Sequence, residues 1–160
     1  MTRQHAVFVY GTLRPGQRNY ERLLAGRTVQ ESPAIAKGLA LYGHRFPYAV
    51  PQSGARTVGD LITIKPSLYL GVLADLDQLE GYQPNRPESS HYIRSTRSIV
   101  ATVSTPNGGT WEAFHTAWIY LAGPDIVPTR MPRITDDDWL AQVSASSRPN
   151  SFQQAAPEGR

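Results

Sequence analysis

The sequence contains no cysteine, so disulfide bonds, thiolate nucleophiles and cysteine metal sites are excluded. Its apolar runs are short, and none approaches the roughly 20 residues that span a bilayer. The first run, residues 6–10, is also too short for the core of a signal peptide. We therefore expect no membrane partner. The lack of cysteine fits a reducing compartment, and we expect a cytoplasmic protein.

Lysine is scarce, since only two of the 16 basic residues are lysines, and the arginines are scattered along the chain. A nucleic-acid-binding protein shows a basic stripe or a known motif in addition to a high isoelectric point. Neither is present here, although the net charge is +3 and the isoelectric point is about 9.4. We therefore expect no nucleic-acid partner. A mildly basic surface favours small anionic molecules instead.

The motifs of common cofactor and metal enzymes are also missing. The chain has no Walker loop, no G-x-G-x-x-G, no H-E-x-x-H and no G-x-S-x-G, and its four histidines lack the spacing of metal ligands. Three consecutive aspartates, residues 136–138, lie in a predicted helix. Their side chains point in different directions there, which favours capping over a shared cation. The sequence thus predicts neither a metal nor a cofactor.

Length and composition indicate one domain. With 160 residues, 40% of them hydrophobic and 18% charged, the chain can bury a sizeable core. Residues 1–143 form the predicted domain. From Ser144 onward the periodicity is lost, which predicts a flexible tail over residues 144–160. A monomer and a homodimer both remain open.

Strand and helix patterns share the chain. Strands are predicted over 6–10, 34–42, 58–64, 92–103 and 111–121, and helices over 19–25, 68–79 and 134–140. Gly38 indicates a bulge in the second strand, Ser67 is a candidate N-cap of the second helix, and Pro-Asn-Gly-Gly predicts a hairpin between the last two strands. This pattern predicts an α+β fold with a curled antiparallel or mixed sheet.

The first strand ends abruptly. Residues 7–10 alternate valine with phenylalanine and tyrosine, which predicts a strand buried on both faces. Gly11 then ends the strand, and Thr12 and Leu13 follow in the turn. Backbone N–H groups at such a break lack ladder partners and can face a carboxylate or an oxyanion. The alternative is an ordinary first strand followed by a turn.

A second aromatic segment, residues 46–51, contains two prolines that remove ladder donors. We therefore predict a rigid aromatic loop in place of a central strand. Such a loop can form a pocket wall or a hydrophobic plug at the end of a barrel.

Glu80 stands at the end of the second predicted helix, just before Gly81, which ends it. A carboxylate at a helix C-terminus meets the negative end of the helix dipole, which disfavours its ionised form. With partial burial, its pKa would rise toward the range of a general base or acid. The alternative is a surface glutamate near a helix end.

Six short segments follow one another along the chain. They are 8–16 (FVYGTLRPG), 46–51 (FPYAVP), 58–61 (VGDL), 76–82 (LDQLEGY), 92–94 (YIR) and 117–120 (AWIY). In this order they resemble the γ-glutamylcyclotransferase-like family, which includes AIG2-like proteins and γ-glutamylamine cyclotransferases. Each segment alone is weak, whereas the ordered set is specific.

The resemblance implies a small mixed β-barrel flanked by a few short helices, with a pocket at its mouth. Family members cyclise a γ-glutamyl group to 5-oxoproline and release the attached amine, a reaction that requires no metal or cofactor. By similarity, Glu80 is the catalytic acid/base, and the residues expected to bind substrate are Tyr10, Gly11, Thr12, Leu13 and Tyr120. Asp60 stands where the family more often has glutamate, which leaves its part in the pocket open.

We therefore expect a γ-glutamyl cyclotransferase that acts on a small γ-glutamyl substrate. Two other hypotheses stay open. One is a non-catalytic module on the same fold that binds an amino-acid-like ligand, and the aromatic residues of segment 46–51 support it. The other is a hydrolase that releases free glutamate. The sequence does not identify the amine on the γ-carbonyl.

Overall fold

Five strands close into a barrel in the computed structural model, which describes residues 3–135 and 137–146, the last three by backbone alone. The strands are β1 (Ala6–Val9), β2 (Thr28–Tyr42), β3 (Tyr48–Ile64), β4 (Tyr92–Ser104) and β5 (Thr110–Ala122). Their order around the barrel is β1-β3-β2-β4-β5. Among the described strands, β1 and β5 pair in parallel and the other four pairs are antiparallel. The predicted α+β fold, a small mixed barrel with few helices, is confirmed.

Three short helices flank the barrel: α1 (Arg18–Leu23), α2 (Tyr69–Leu79) and α3 (Trp139–Ser146). A 3₁₀ turn, Pro66–Leu68, precedes α2. Ser67 lies inside this turn, and Leu68 takes the N-cap position of α2 without a side-chain hydrogen bond. The predicted Ser67 cap is therefore wrong, because the 3₁₀ turn moves the helix start by one residue. None of the helices within residues 3–135 and 137–146 is long and apolar enough to cross a membrane.

The last predicted helix begins later than expected. Ile134 is buried in the barrel core and precedes the helix, and Asp137 has a φ of 57°, outside helical geometry. The capping role falls on Asp138, whose Oδ1 accepts a hydrogen bond from the Ala141 N–H at 3.2 Å. Asp136 lies outside the described residues. The helix α3 continues to residue 146, past the predicted domain boundary at residue 143, and the rest of the predicted tail lies outside the described residues.

The predicted loop over residues 46–51 is wrong from Tyr48 onward, because β3 begins there. Pro51 pairs with Leu39 of β2, and this stretch of β3 pairs with β2 alone. A proline is tolerated on such an edge, where no second ladder needs its missing N–H. The register of β2 shifts between Lys37 and Leu39 around Gly38, as its predicted bulge requires.

Two apolar cores lie on opposite faces of β1. Phe8 and Tyr10 join residues of all five strands in a cluster that fills the barrel. Val7 and Val9 join the second cluster, which contains the buried side chains of α2. Each side chain of residues 7–10 is less than 10% exposed, so the predicted two-sided burial is confirmed. The helix α2 therefore packs along the outside of the barrel beside β1.

Candidate active site

A cavity of about 270 Å³ opens where β1 ends. Its walls come from the turn after β1, the C-terminal end of α2, the segment before β3, the start of β4 and the end of β5. The six residues predicted for the site all line this cavity: Tyr10, Gly11, Thr12, Leu13, Glu80 and Tyr120. The fold thus brings together residues that are up to 110 positions apart in sequence.

The turn after β1 forms one wall of the cavity. None of the hydrogen bonds found in the described part of the chain uses the N–H groups of Gly11, Thr12 or Leu13 as donors. The carbonyl oxygens of the turn are used, because that of Gly11 accepts from the N–H of Arg14 at 3.0 Å and that of Thr12 from the N–H of Tyr20 at 3.2 Å. The turn therefore keeps its donors available for an anionic group.

Close packing fixes this turn. A Cβ atom added at Gly11 would lie 2.9 Å from Cγ of Pro47, closer than real Cβ contacts. The Asn19 Nδ2 donates to Oγ1 of Thr12 at 2.8 Å and ties the turn to α1. The φ of Gly11 is not in the left-handed region, so its backbone conformation does not require glycine. The close approach of Pro47 does. Pro47 lines the cavity, so the aromatic segment forms a pocket wall.

The end of α2 forms the facing element of the site. Gly81 ends the helix with a φ of 65°, and its N–H donates to the carbonyl of Gln78 at 3.2 Å. The Glu80 carbonyl accepts from the N–H of Tyr92 at 3.2 Å, and the Gly81 carbonyl accepts from the N–H of His91 at 3.2 Å. These bonds connect the helix end to the start of β4 and hold the Glu80 side chain at the cavity.

The Glu80 carboxyl is partly buried and has no hydrogen-bond or ion-pair partner among the described residues. Burial raises its pKa from 4.5 to about 7, because a carboxylate that loses water without gaining a partner is destabilised. At neutral pH, both protonation states are therefore populated. Such a group can take a proton from one atom of a ligand and return it to another.

Three buried tyrosines surround this carboxyl, and each hydroxyl donates to a protein acceptor. Tyr10 donates to the carbonyl of Tyr120, and Tyr92 donates to the carbonyl of Pro47 at 2.9 Å. Burial raises the pKa of all three hydroxyls, and the charge of Glu80 adds to the effect in each case. These tyrosines are therefore neutral and oriented by the fold.

Tyr120 differs from its predicted role in one respect. Its ring lines the cavity, but its hydroxyl donates to Oδ1 of Asp77 at 2.7 Å. Asp77 in turn accepts two hydrogen bonds from Arg94, at 2.9 and 3.2 Å. The hydroxyl proton of Tyr120 is thus engaged with α2.

Asp60 does not line the cavity. It accepts a hydrogen bond from Nε of Arg14 at 2.8 Å, and the Nη1 of the same guanidinium binds Oδ1 of Asp138 at 2.8 Å. Asp60, at the position where the family more often has glutamate, therefore takes part here in an ion pair behind the turn. The described residues contain no cluster of three or more His, Asp or Glu side chains placed to hold a metal ion.

Sequence reasoning missed three polar residues that line the cavity: Asn19, His91 and Tyr92. His91 Nε2 and Tyr48 Oη are 2.7 Å apart and share a hydrogen bond, and the Tyr48 ring stacks on that of Tyr92 with centroids 5.0 Å apart. The short segment 92–94 was part of the resemblance, which gave Tyr92 a signal without a role. No sequence signal pointed to His91, because a backbone hydrogen bond to the end of α2 places it at the cavity.

A family model described as "Gamma-glutamyl cyclotransferase, AIG2-like" matches residues 7–141, which include every predicted site residue. The chain belongs to this family. Family membership supports a cyclotransferase-type function, and the family acts on small γ-glutamyl substrates. No curated protein matches the chain in sequence.

Solved structures of low sequence identity share the fold. YkqA of Bacillus subtilis is 22% identical with a TM-score of 0.58, and the match covers 91% of this chain and 44% of YkqA. An AIG2-like protein of Mus musculus is 18% identical with a TM-score of 0.53, covering 81% of this chain and 84% of that one. A yeast γ-glutamyl cyclotransferase specific to glutathione is 14% identical with a TM-score of 0.50, covering 76% and 69%.

Proposed function

We propose that the protein is a γ-glutamyl cyclotransferase that converts a γ-glutamyl amide to 5-oxoproline and a free amine, with Glu80 as the general acid/base. One observation carries the proposal. Among the described residues, the Glu80 carboxyl has no hydrogen-bond or ion-pair partner, and burial raises its pKa to about 7; it shares a cavity with the N–H groups of Gly11, Thr12 and Leu13, which donate to no group in that part of the chain. Family membership supports the same reaction class.

The reaction needs little from the protein, because the substrate carries its own nucleophile. The α-amino nitrogen attacks the γ-carbonyl carbon, a new C–N bond closes a five-membered ring, and the bond to the leaving amine breaks. Attack within one molecule can reach effective molarities of about 10⁵ M or more. The cavity has to hold the γ-glutamyl group folded back on itself, and its volume of about 270 Å³ suits a small metabolite.

Glu80 moves the protons in this proposal. Its carboxylate takes a proton from the attacking amine, and the resulting carboxylic acid returns it to the nitrogen of the leaving amine. A pKa near 7 suits both halves, because neither protonation state is strongly favoured at neutral pH. The proton balance closes without a second acid or base.

The turn binds the negative charge in this proposal. The described residues that line the cavity include no arginine or lysine. We therefore assign the substrate's α-carboxylate or the developing oxyanion to the backbone N–H groups of residues 11–13. If these groups bind the oxyanion, each well-placed donor contributes about 3–4 kcal/mol to the transition state.

A product screen tests the proposal. The protein is incubated with a panel of γ-glutamyl amines and γ-glutamyl dipeptides, and 5-oxoproline, glutamate and the free amine are measured by mass spectrometry. We expect 5-oxoproline from at least one substrate, with a rate about 10²–10⁴-fold lower in Glu80→Gln. Glu88→Gln is the matched control, because Glu88 is exposed and does not line the cavity.

Other outcomes identify the two competing hypotheses. Free glutamate in place of 5-oxoproline would indicate a hydrolase. Binding of a γ-glutamyl compound without turnover would indicate the non-catalytic module on this fold. Full turnover in Glu80→Gln would contradict the role given to Glu80 while leaving the reaction class intact.

A further inference from the structure

Two facing strand residues hold one carboxylate of α2. Arg94 and Tyr120 are directly opposite each other in the register of β4 and β5. Both reach Asp77, with Arg94 Nε donating to Oδ1 at 2.9 Å, Arg94 Nη2 donating to Oδ2 at 3.2 Å and Tyr120 Oη donating to Oδ1 at 2.7 Å. A bidentate guanidinium and a phenol thus attach α2 to two strands through one side chain.

The ion pair is shielded from water and held rigidly. The Arg94 and Asp77 side chains are 15% and 16% exposed. The guanidinium carbon lies 4.3 Å from the ring centroid of Trp118 and 5.5 Å from that of Tyr82. Arginine remains charged at any pH that a protein tolerates. Asp77 and Arg94 therefore form a fixed pair with no net charge.

This pair lies beside the candidate catalytic carboxyl. Asp77 precedes Glu80 by three residues at the end of the same helix, a spacing that brings Cβ atoms to about 5–6 Å. The Asp77 carbonyl also accepts from the N–H of Tyr82 at 2.9 Å and so takes part in the helix end. Tyr120 touches both sites, since it lines the cavity with Glu80 and donates to Asp77.

We infer that Asp77 and Arg94 are positioning residues for the reaction. The pair attaches the last turn of α2 to β4 and β5, and its mutual neutralisation keeps the proton affinity of Glu80 within the range of a base at neutral pH. The catalytic consequence rests on the function proposed above, whereas the electrostatic effect on Glu80 does not.

Other titratable groups face Glu80 from each element packed around it. They are Tyr10 after β1, Tyr48 in β3, His91 before β4, Tyr92 in β4 and Tyr120 in β5. The four tyrosines have pKa values raised first by burial, so they stay neutral where Glu80 titrates. His91 is the one member of this set that is not a tyrosine, so the experiment is repeated in His91→Gln.

The test measures the protonation of Glu80 directly in the full chain. Glutamate side-chain carboxyl carbons are labelled with ¹³C and followed by NMR against pH, and the Glu80 signal is assigned by its loss in Glu80→Gln. In Asp77→Asn the unbalanced Arg94 cation favours the Glu80 carboxylate, so the midpoint of the Glu80 titration should fall. In Arg94→Met the unbalanced Asp77 carboxylate disfavours the ionised form of Glu80, so this midpoint should rise. We expect shifts of about 0.5 pH unit or more.

The double variant Asp77→Asn/Arg94→Met separates electrostatics from structural damage. Removal of both charges should bring the midpoint back to within about 0.3 pH unit of the parent value. Asp75→Asn is the matched control, because Asp75 lies on the same helix in an exposed pair with Arg27 and should not move the midpoint measurably. If Arg94→Met does not fold, Asp77→Asn and the double variant still give the decisive contrast.

Shifts in the same direction for both single variants, or no shift in either, would overturn the inference. The acid limb of kcat/KM should move with the NMR midpoint in each active variant. A protein that shows the opposed NMR shifts but no cyclisation would contradict the proposed function and leave the electrostatic role of the pair standing.

Discussion

The two walls of the cavity present different kinds of chemistry. The turn at residues 11–13 presents backbone N–H groups, and packing against Pro47 and Asn19 fixes their position. The end of α2 presents one side chain, the carboxyl of Glu80, whose pKa burial raises to about 7. Backbone donors survive any side-chain change that keeps the shape of the turn, whereas the chemistry of Glu80 depends on a single group. The function of the turn should therefore be sensitive to changes in its geometry, and that of the helix end to changes in the charge of Glu80.

The ion pair behind the turn gives the largest expected effect on stability. In Arg14→Met, the carboxylates of Asp60 and Asp138 lose their shared cation while remaining mostly buried. We expect a loss of about 2–4 kcal/mol in the free energy of unfolding, measured by urea denaturation. KM should rise more than kcat falls, because the turn loses its support. An unchanged KM in a folded variant would mean that the turn does not depend on Arg14.

A smaller change acts on the turn from inside. Gly11→Ala places a Cβ atom 2.9 Å from Cγ of the buried Pro47, so one of the two segments must move. We expect a loss of about 1–3 kcal/mol in stability and a higher KM. Gly71→Ala is the control, because nothing lies within 4 Å of an added Cβ in α2, and it should stabilise the protein by up to about 1 kcal/mol. Equal effects of the two substitutions would contradict the packing argument.

The smallest effect is expected far from both walls. Arg27 and Asp75 form an ion pair at 2.9 Å, with side chains 36% and 42% exposed. Arg27→Met should change the free energy of unfolding by less than about 1 kcal/mol, because an exposed pair is screened by water. It is also the matched control for Arg14→Met. A loss as large as that of Arg14→Met would show that burial does not separate the two pairs.

Local signals predicted the parts of the fold that local rules control. The alternation in β1, the bulge at Gly38 and the helix end at Gly81 follow from residue spacing and from glycine conformations. The sequence also singled out Glu80 and the turn, although the structure was needed to show that they share a cavity. The resemblance supplied the barrel, which strand patterns alone left as a curled sheet.

Errors arose where distant parts of the chain decide the local structure. Residues 48–51 form a strand despite Pro51, because they pair there with β2 alone and no second strand needs the missing N–H. The residue Ile134 is drawn into the barrel core, which delays the start of α3. Asp77 carried no local signal for its role, because its partner Arg94 is 17 residues away and meets it only through the packing of α2 on the sheet.

The most direct test of the account is the pH dependence of the stability difference between Glu80→Gln and the parent protein. Glu80 has a folded-state pKa of about 7 and an ordinary value of 4.5. Below pH 4.5 it is protonated in both states and the two proteins should be equally stable, apart from a constant offset. As pH rises from 4.5 to 7, Glu80 ionises more readily in the unfolded state than in the folded state. The free energy of unfolding of the parent protein therefore falls relative to that of the variant.

Above pH 7, the free energy of unfolding of the variant minus that of the parent should be higher than at pH 4 by on the order of 1–3 kcal/mol. Urea denaturation at pH 4 and pH 8 measures this change, and Glu88→Gln should show none. Such a gain, together with lost formation of 5-oxoproline, would mean that the fold keeps a destabilised carboxyl for catalysis. A difference that stays constant from pH 4 to pH 8 would contradict the central claim, because Glu80 would then be an ordinary carboxylate.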